Sequence, residues 1–218
     1  MNQDLTTYYS ERAAEYDKVY QIPEEQEDLS KSTALFQHIF ANKSVLEIAC
    51  GTGYWTEQIA KTANSILATD INKAVIDIAR SRQYNNNVTF KVADMYSLTT
   101  NQLFDGLFGG FIWSHILLQD LDNFIFKLKD FVSENGEIVF IDSKQVEGTN
   151  HDKKRITRID QYGNTYQTRK LENGTIHEVL KNFPKKEFLT EKLSYISAGV
   201  NIIELEHYWI ATCKMKKI

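Results

Sequence analysis

The chain reads as an α/β fold, built on a doubly wound, mostly parallel sheet. An antiparallel hairpin closes its C-terminal end, helices precede it, and a β-rich insertion interrupts it. Three observations predict this. Short apolar runs alternate with amphipathic stretches from residue 44 to residue 142, the pattern of strands in a parallel sheet covered by helices. The first run, VLEIACGTGYWTEQIA, ends in Gly51 and Gly53 and passes straight into helical spacing at Trp55, Ile59 and Ala60. Beyond residue 143 the helical period fades and strand-like segments with turn dipeptides replace it.

Residues 3–20 predict a helix in which Tyr8, Tyr9, Tyr16 and Tyr20 cluster, and Pro23 breaks it. Glu24 to Phe40 predicts a second amphipathic helix, with Leu35, Phe36 and Ile39 on its apolar side. The strands then follow as 44–50, 65–71, 88–94, 104–113 and 136–142, with helices expected at 74–82 and 117–131. ITRIDQY, TYQTRKL and TIHEVLKNF are separated by Gly163-Asn164 and Asn173-Gly174, both suited to tight hairpin turns. A last helix spans 184–193, and SYISAGVNIIELE and HYWIATCKM close the chain as an antiparallel pair. The expected organisation is one domain over 1–218, with a helical cap at 1–40 and a lid-like insertion at 143–183.

Composition narrows the function. The 218 residues carry a net charge of −4 and a pI near 5.8, so no basic footprint for nucleic acid is present. No segment approaches the ~18 apolar residues of a membrane span. The polar, acidic N-terminus is unlike a signal peptide, which makes a cytoplasmic location the expectation. Cys50 and Cys213 lie far apart in apolar surroundings, read as reduced core thiols; no metal site is expected.

In open parallel sheets ligands bind beyond the carboxyl ends of the strands. Here those ends carry Glu47 to Gly53, Asp70, Asp94 with Met95, Trp113 to His115, and Asp142. Asp70 follows Gly53 by a spacing close to that of a ribose-binding carboxylate, or it caps the next helix. Asp94 suits an adenine amino group, with Met95 on the ring, or caps a turn. His115, following strand four, suits proton transfer near neutrality or plain packing. Trp113 either walls the acceptor pocket or packs on the next helix.

Taken together these pieces resemble the class I S-adenosylmethionine-dependent methyltransferases of the small-molecule type. LEIACGTG matches the glycine motif, ATDIN the ribose acid, VADMYSL the adenine-side acid and FDGLFGGFIWSHI the fourth strand. The match covers residues 40–142 well and 184–215 by topology. The resemblance implies a Rossmann-like fold and S-adenosylmethionine as cofactor, held by Tyr8, Tyr16, Glu47, Ala49, Cys50, Gly51, Gly53, Trp55, Asp70, Ile71, Asp94, Met95 and Trp113. Glu47 is then the acid near the methionine amino group, and Tyr16, with Tyr8 next, reaches the methionine carboxylate. Ala49 departs from the family pattern, which has glycine there; alanine fits most right-handed or extended backbone.

The expected reaction is in-line methyl transfer to a small-molecule acceptor, with His115 as candidate base and Tyr20, Trp113, His115, Arg158 and Tyr166 around the acceptor. Arg155, Arg158, Tyr166, Arg169, His177 and Lys181 of the insertion suit either an anionic or aromatic acceptor or a solvated surface. Protein or RNA acceptors, and a dinucleotide-dependent oxidoreductase, are the alternatives. Trp55 disfavours the last, because a dinucleotide site wants a small residue there for close helix–strand packing.

Overall fold

The computed structural model describes residues 3–145 and 156–216. The N-terminal helix α1 (Gln3–Arg12) gives way to a 3-10 segment (Ala13–Gln21), so the expected single helix is two pieces of different pitch. A short 3-10 turn (Pro23–Glu25) leads into α2 (Gln26–Ile39). The wound region follows as β1 (Ser44–Ile48), α3 (Tyr54–Ile59), β2 (Ser65–Asp70), α4 (Lys73–Arg80), β3 (Val88–Val92), β4 (Phe104–Gly110), α5 (Leu121–Lys127) and β5 (Val132–Ser143). The insertion supplies β6 (Arg158–Ile159), β7 (Thr165–Lys170) and β8 (Ile176–Leu180). Helix α6 (Lys186–Ser194), β9 (Ser197–Glu204) and β10 (Tyr208–Met215) complete the chain.

Seven strands form one sheet in the order β3-β2-β1-β4-β5-β10-β9. Pairings among β1 to β5 are parallel, and β10 runs antiparallel between β5 and β9. The order reverses between β1 and β4, which opens a crevice at their carboxyl ends. Buried side chains alternate between two faces, as strand geometry requires. Leu46, Ile48, Leu107 and Phe140 pack towards α5 and α6, whereas Val45, Phe108, Val139 and Ile141 pack towards α2 and α3. Both cysteines are buried and unpaired.

The insertion forms a separate antiparallel sheet, β6-β7-β8, with Gly163 (φ +85°) and Gly174 (φ +90°) in its two turns. The stretch 117–120, expected to be helical, is drawn out of α5. The backbone N–H of Leu118 donates to Asn164 Oδ1 in the insertion (2.8 Å), a tertiary contact that overrides local helical preference. Part of the expected insertion, including Arg155, lies outside the described residues. No described helix is long and apolar enough to cross a membrane.

Candidate active site

A cavity opens at the reversal point, with a floor made by the strand ends and a roof made by the N-terminal segment. Its floor includes Ala49, Gly51, Asp70, Ile71 and Met95; its roof includes Leu5, Tyr9 and Tyr16; His115 stands at the side. The walls are chiefly apolar with a few polar groups, the usual character of a small-molecule site.

The floor follows from backbone geometry. Gly51 adopts φ +54°, and a side chain built there would meet nothing within 4 Å, so bare backbone faces open space. Ala49 adopts φ +53°. The expected right-handed or extended conformation is therefore wrong: alanine stands in the left-handed region at a cost of about 1–2 kcal/mol. Phe111, at the end of β4, is likewise left-handed (φ +57°) and lines the cavity. Two non-glycine residues held in this way on one cavity mark a backbone shaped by more than local preference.

Asp70 takes one hydrogen bond on each carboxylate oxygen, from Gly51 N (3.0 Å) and Asn72 N (2.8 Å). Burial raises its pKa, and these backbone donors offset part of the rise. A carboxylate accepts about four hydrogen bonds, so acceptor capacity stays open for a ligand hydroxyl. The helix-capping role weighed for Asp70 falls to its neighbour. Asn72 Oδ1 caps α4 at Ala74 N (3.0 Å), and its Nδ2 donates to Thr6 O (3.1 Å), pinning α1 over the floor.

Glu47 is buried beneath the floor, and its Oε2 has no hydrogen-bond partner. Burial pushes its pKa up to about 8, with the Thr56 hydroxyl offsetting part of the rise. Glu47 does not line the cavity, but its Oε2 is a free acceptor that a ligand ammonium would satisfy.

At the side wall, His115 Nδ1 lies 2.6 Å from the carbonyl of Leu180, and Nε2 lies 2.6 Å from Tyr9 Oη. A carbonyl only accepts, so Nδ1 carries the proton and Nε2 accepts from Tyr9. Burial, reinforced by the nearby positive charge of Lys181, pushes the imidazole pKa down to about 3. Burial also raises the Tyr9 pKa. This is a neutral, doubly hydrogen-bonded pair.

Behind it lies a buried ion pair. Lys181 Nζ donates to Asp142 Oδ1 and to Ser114 Oγ, both at 2.8 Å, and Asp142 Oδ2 accepts from Ser114 N at 2.9 Å. Burial alone would raise the Asp142 pKa, but Lys181 and the other groups around it bring it below its usual value. Burial lowers that of Lys181. The pair bolts the end of β8 to the ends of β4 and β5.

Of the sequence-derived residues, Tyr16, Ala49, Gly51, Asp70, Ile71, Met95 and His115 line the cavity. The others stand elsewhere for identifiable reasons. Trp55 packs among Phe36 and Phe108 on one sheet face, and Trp113 among Phe124, Phe140 and Trp209 on the other. Cys50 belongs to the first of these cores. Gly53 (φ +81°) turns its open side away from the cavity, where a Cβ would lie 2.6 Å from Tyr84 Oη and 2.9 Å from Ala79 Cβ. Asp94 accepts from Tyr96 N (3.0 Å) and shapes a turn. Tyr8 packs under the small sheet with Leu5 and Val179. Tyr20 stacks on Tyr54 at 3.7 Å. Arg158 pairs with Glu178 on the surface and covers the Tyr166 ring. Tyr9, Asn72 and Phe111 are cavity residues that sequence reasoning missed. Tyr9 carried a signal, one residue along from Tyr8 in the same aromatic cluster.

The comparisons with known proteins agree with this geometry. The family described as "Methyltransferase domain" matches residues 45–136, from β1 to the start of β5. Two structures, titled "DhpI-SAH complex structure" and "DhpI-SAM-HEP complex", superpose with TM-scores of 0.77 and 0.78 at 25% identity. Each covers 98% of this chain, and 96% and 99% of those chains. Residues 45–136 thus match a methyltransferase domain, and the whole chain has the fold of structures titled as complexes with S-adenosylmethionine and its product. Malonyl-[acyl-carrier protein] O-methyltransferase of Bacillus cereus is 38% identical over 104 residues, which are 46% of this chain and 37% of that protein. The Bacillus anthracis protein of the same name is 30% identical over 142 residues, 62% of this chain and 51% of that protein. The chain thus matches about half or less of the length of these curated relatives. S-adenosylmethionine fits the residues present: Asp70 has open acceptor directions, Gly51 leaves bare backbone, and Glu47 Oε2 has no hydrogen-bond partner.

Proposed function

We propose that this methyltransferase acts on a small molecule admitted between the N-terminal segment and the β6-β7-β8 sheet. The cofactor supplies an electrophilic methyl group on a sulfonium when bound. Asp70 would hold the ribose hydroxyls, Gly51 and Ala49 the main-chain approach, Glu47 the ammonium, and Met95 and Ile71 the adenine. Tyr16 on the roof is the residue assigned to the methionine carboxylate. The chain's own contribution is positioning. Holding nucleophile and electrophile at attack distance supplies roughly 7–11 kcal/mol of such a barrier.

The observation that carries the acceptor assignment is the Tyr9–His115 pair on the cavity wall, beside the roof that an acceptor must pass. With Nε2 already accepting from Tyr9 and burial disfavouring the imidazolium, His115 is assigned to orienting Tyr9 rather than to removing a proton. Tyr9 then presents its hydroxyl oxygen to the acceptor. An acceptor atom that needs little or no deprotonation suits such a site. A cavity roofed by Leu5, Tyr9 and Tyr16 favours a small molecule over a folded protein or RNA.

The test is transfer of isotope-labelled methyl from S-adenosylmethionine into a cell extract split into metabolite and macromolecule fractions. Label should appear in the metabolite fraction. Label confined to protein or RNA would overturn the small-molecule assignment. His115→Ala should raise KM more than it lowers kcat.

A further inference from the structure

The interface between α1 and the small sheet holds more positive charge than the protein neutralises. Strand alternation puts Gln167 and Arg169 of β7 on one face, and pairing with β8 puts Val179 and His177 beside them. Val179 packs on Leu5 and Tyr8, so this is the face turned towards α1. From α1, Arg12 reaches back and lies over the rings of Tyr8 and Tyr16, 5.6 and 5.2 Å from their centroids. Lys181 continues the same side of β8.

Only part of this charge is balanced. Lys181 has Asp142 (2.8 Å), and His177 has Glu11 (3.0 Å) at the outer edge. Arg12 donates to Tyr8 Oη (2.9 Å) and Arg169 to Gln167 Oε1. Among the described residues neither arginine has a carboxylate partner. Both are withdrawn from full solvent contact, where an unpaired guanidinium is unusual. A second, independent feature points the same way. Gln167 is 1% exposed; its Oε1 serves Arg169, and its Nε2 has no acceptor. Turning the amide over would set its NH2 against the guanidinium, so the orphan is a donor. The cluster lacks acceptors, and lacks negative charge.

We infer that the acceptor molecule carries an oxyanion, a carboxylate or a phosphate-type group, which Arg12, Arg169 and the free amide of Gln167 hold between α1 and the β6-β7-β8 sheet. This rests on the proposed methyltransferase reading of the neighbouring cavity. Tyr9 lies between this interface and the cavity. Its ring packs against Tyr8 and Tyr16 (5.0 and 5.8 Å), and its hydroxyl meets His115 in the cavity wall. An acceptor anchored by its anion would place its reacting end past Tyr9, towards the floor. Planar guanidinium groups suit carboxylate and phosphate alike.

The test uses the full chain saturated with S-adenosylhomocysteine. Calorimetric titrations with malonate, with glycerol 3-phosphate and with the neutral malonamide and glycerol separate the two anion sources from uncharged controls. Wild type should bind at least one of the anions, which identifies the source, and should bind neither neutral compound. Arg169→Gln and Arg12→Gln should each weaken that anion at least tenfold, with S-adenosylhomocysteine affinity unchanged within twofold. Gln167→Leu, which keeps the bulk and removes the donor, should weaken it several-fold. A wild type that binds S-adenosylhomocysteine but neither anion, or anion binding equal in both arginine variants, would overturn the inference. Failure of S-adenosylhomocysteine itself to bind would instead overturn the methyltransferase reading, so the two failures are distinct. If either arginine variant does not fold, the other and Gln167→Leu carry the comparison.

Discussion

The floor and the roof of the cavity are held by different forces. The floor is the end of a parallel sheet whose side chains, such as Leu46, Leu107 and Phe108, are fully buried on both faces. Its shape is fixed by main-chain conformation at Ala49, Gly51 and Phe111. The roof is held by a four-residue apolar cluster, Leu5 and Tyr8 on Leu171 and Val179, and by scattered polar ties: Asn72 to Thr6, Tyr9 to His115, Glu11 to His177, Lys18 to Glu172, and Asp17 to Arg82. The partly exposed ion pairs among these ties contribute about 0–1 kcal/mol each. A floor that cannot shift and a roof that can lift suit a cofactor site beneath an entrance for a varying acceptor.

The largest test of this contrast is the bolt that ties β8, on which Leu5 and Tyr8 of the roof rest, to the ends of β4 and β5. Lys181→Met leaves Asp142 buried without its cation, and loss of one member of a buried pair costs about 3–5 kcal/mol. Chemical denaturation should show a loss of that size. A loss below 1 kcal/mol would mean that the small sheet is not anchored through this pair. Gly53→Val comes next. The new side chain must displace Tyr84 and Ala79 while holding a positive φ, each a penalty of about 1–3 kcal/mol. The denaturation midpoint should fall clearly, whereas Gly51→Ala should keep most of the stability and weaken S-adenosylhomocysteine.

Glu47 gives the floor a pH signature. Its folded pKa, about 8, lies above the unfolded value, so the free protein binds the extra proton between about pH 4.5 and pH 8. The contribution of this group to stability is therefore present at low pH and is lost as pH rises through that window. If a ligand ammonium sits on Glu47, binding near pH 7 should release close to one proton. Calorimetry in buffers of different ionisation enthalpy measures this, and Glu47→Gln should abolish the release. The smallest effect is expected for Ala49→Gly. Relief of the left-handed alanine and the greater freedom of the unfolded glycine nearly cancel, leaving a gain of about 0.5 kcal/mol. A loss of stability there would contradict the strained backbone.

The contrast also explains what the sequence disclosed. The floor residues Gly51, Asp70, Ile71 and Met95 were legible because strand ends and a glycine turn fix their place along the chain. Trp55 and Trp113 sit at the same strand ends, but bulk and alternation send them into the two cores. Gly53 belongs to the same motif, yet it serves packing against Ala79, which no spacing discloses. The roof was less legible. Tyr8 and Tyr9 are adjacent and chemically alike, and the side facing His115 depends on how α1 meets β8, a tertiary contact. The roles of Arg169 and Gln167 depend likewise on which face of the small sheet turns towards α1.

The central claim is that the carboxyl edge of β1 and β2 binds the cofactor through Asp70. Titration of S-adenosylhomocysteine into wild type and Asp70→Ala, with the fold of each checked by circular dichroism, tests it most directly. Loss of a hydrogen bond to a charged acceptor costs about 1.5–3 kcal/mol. A Kd raised by roughly 10- to 150-fold is expected in a folded variant. An unchanged Kd in folded Asp70→Ala would contradict it.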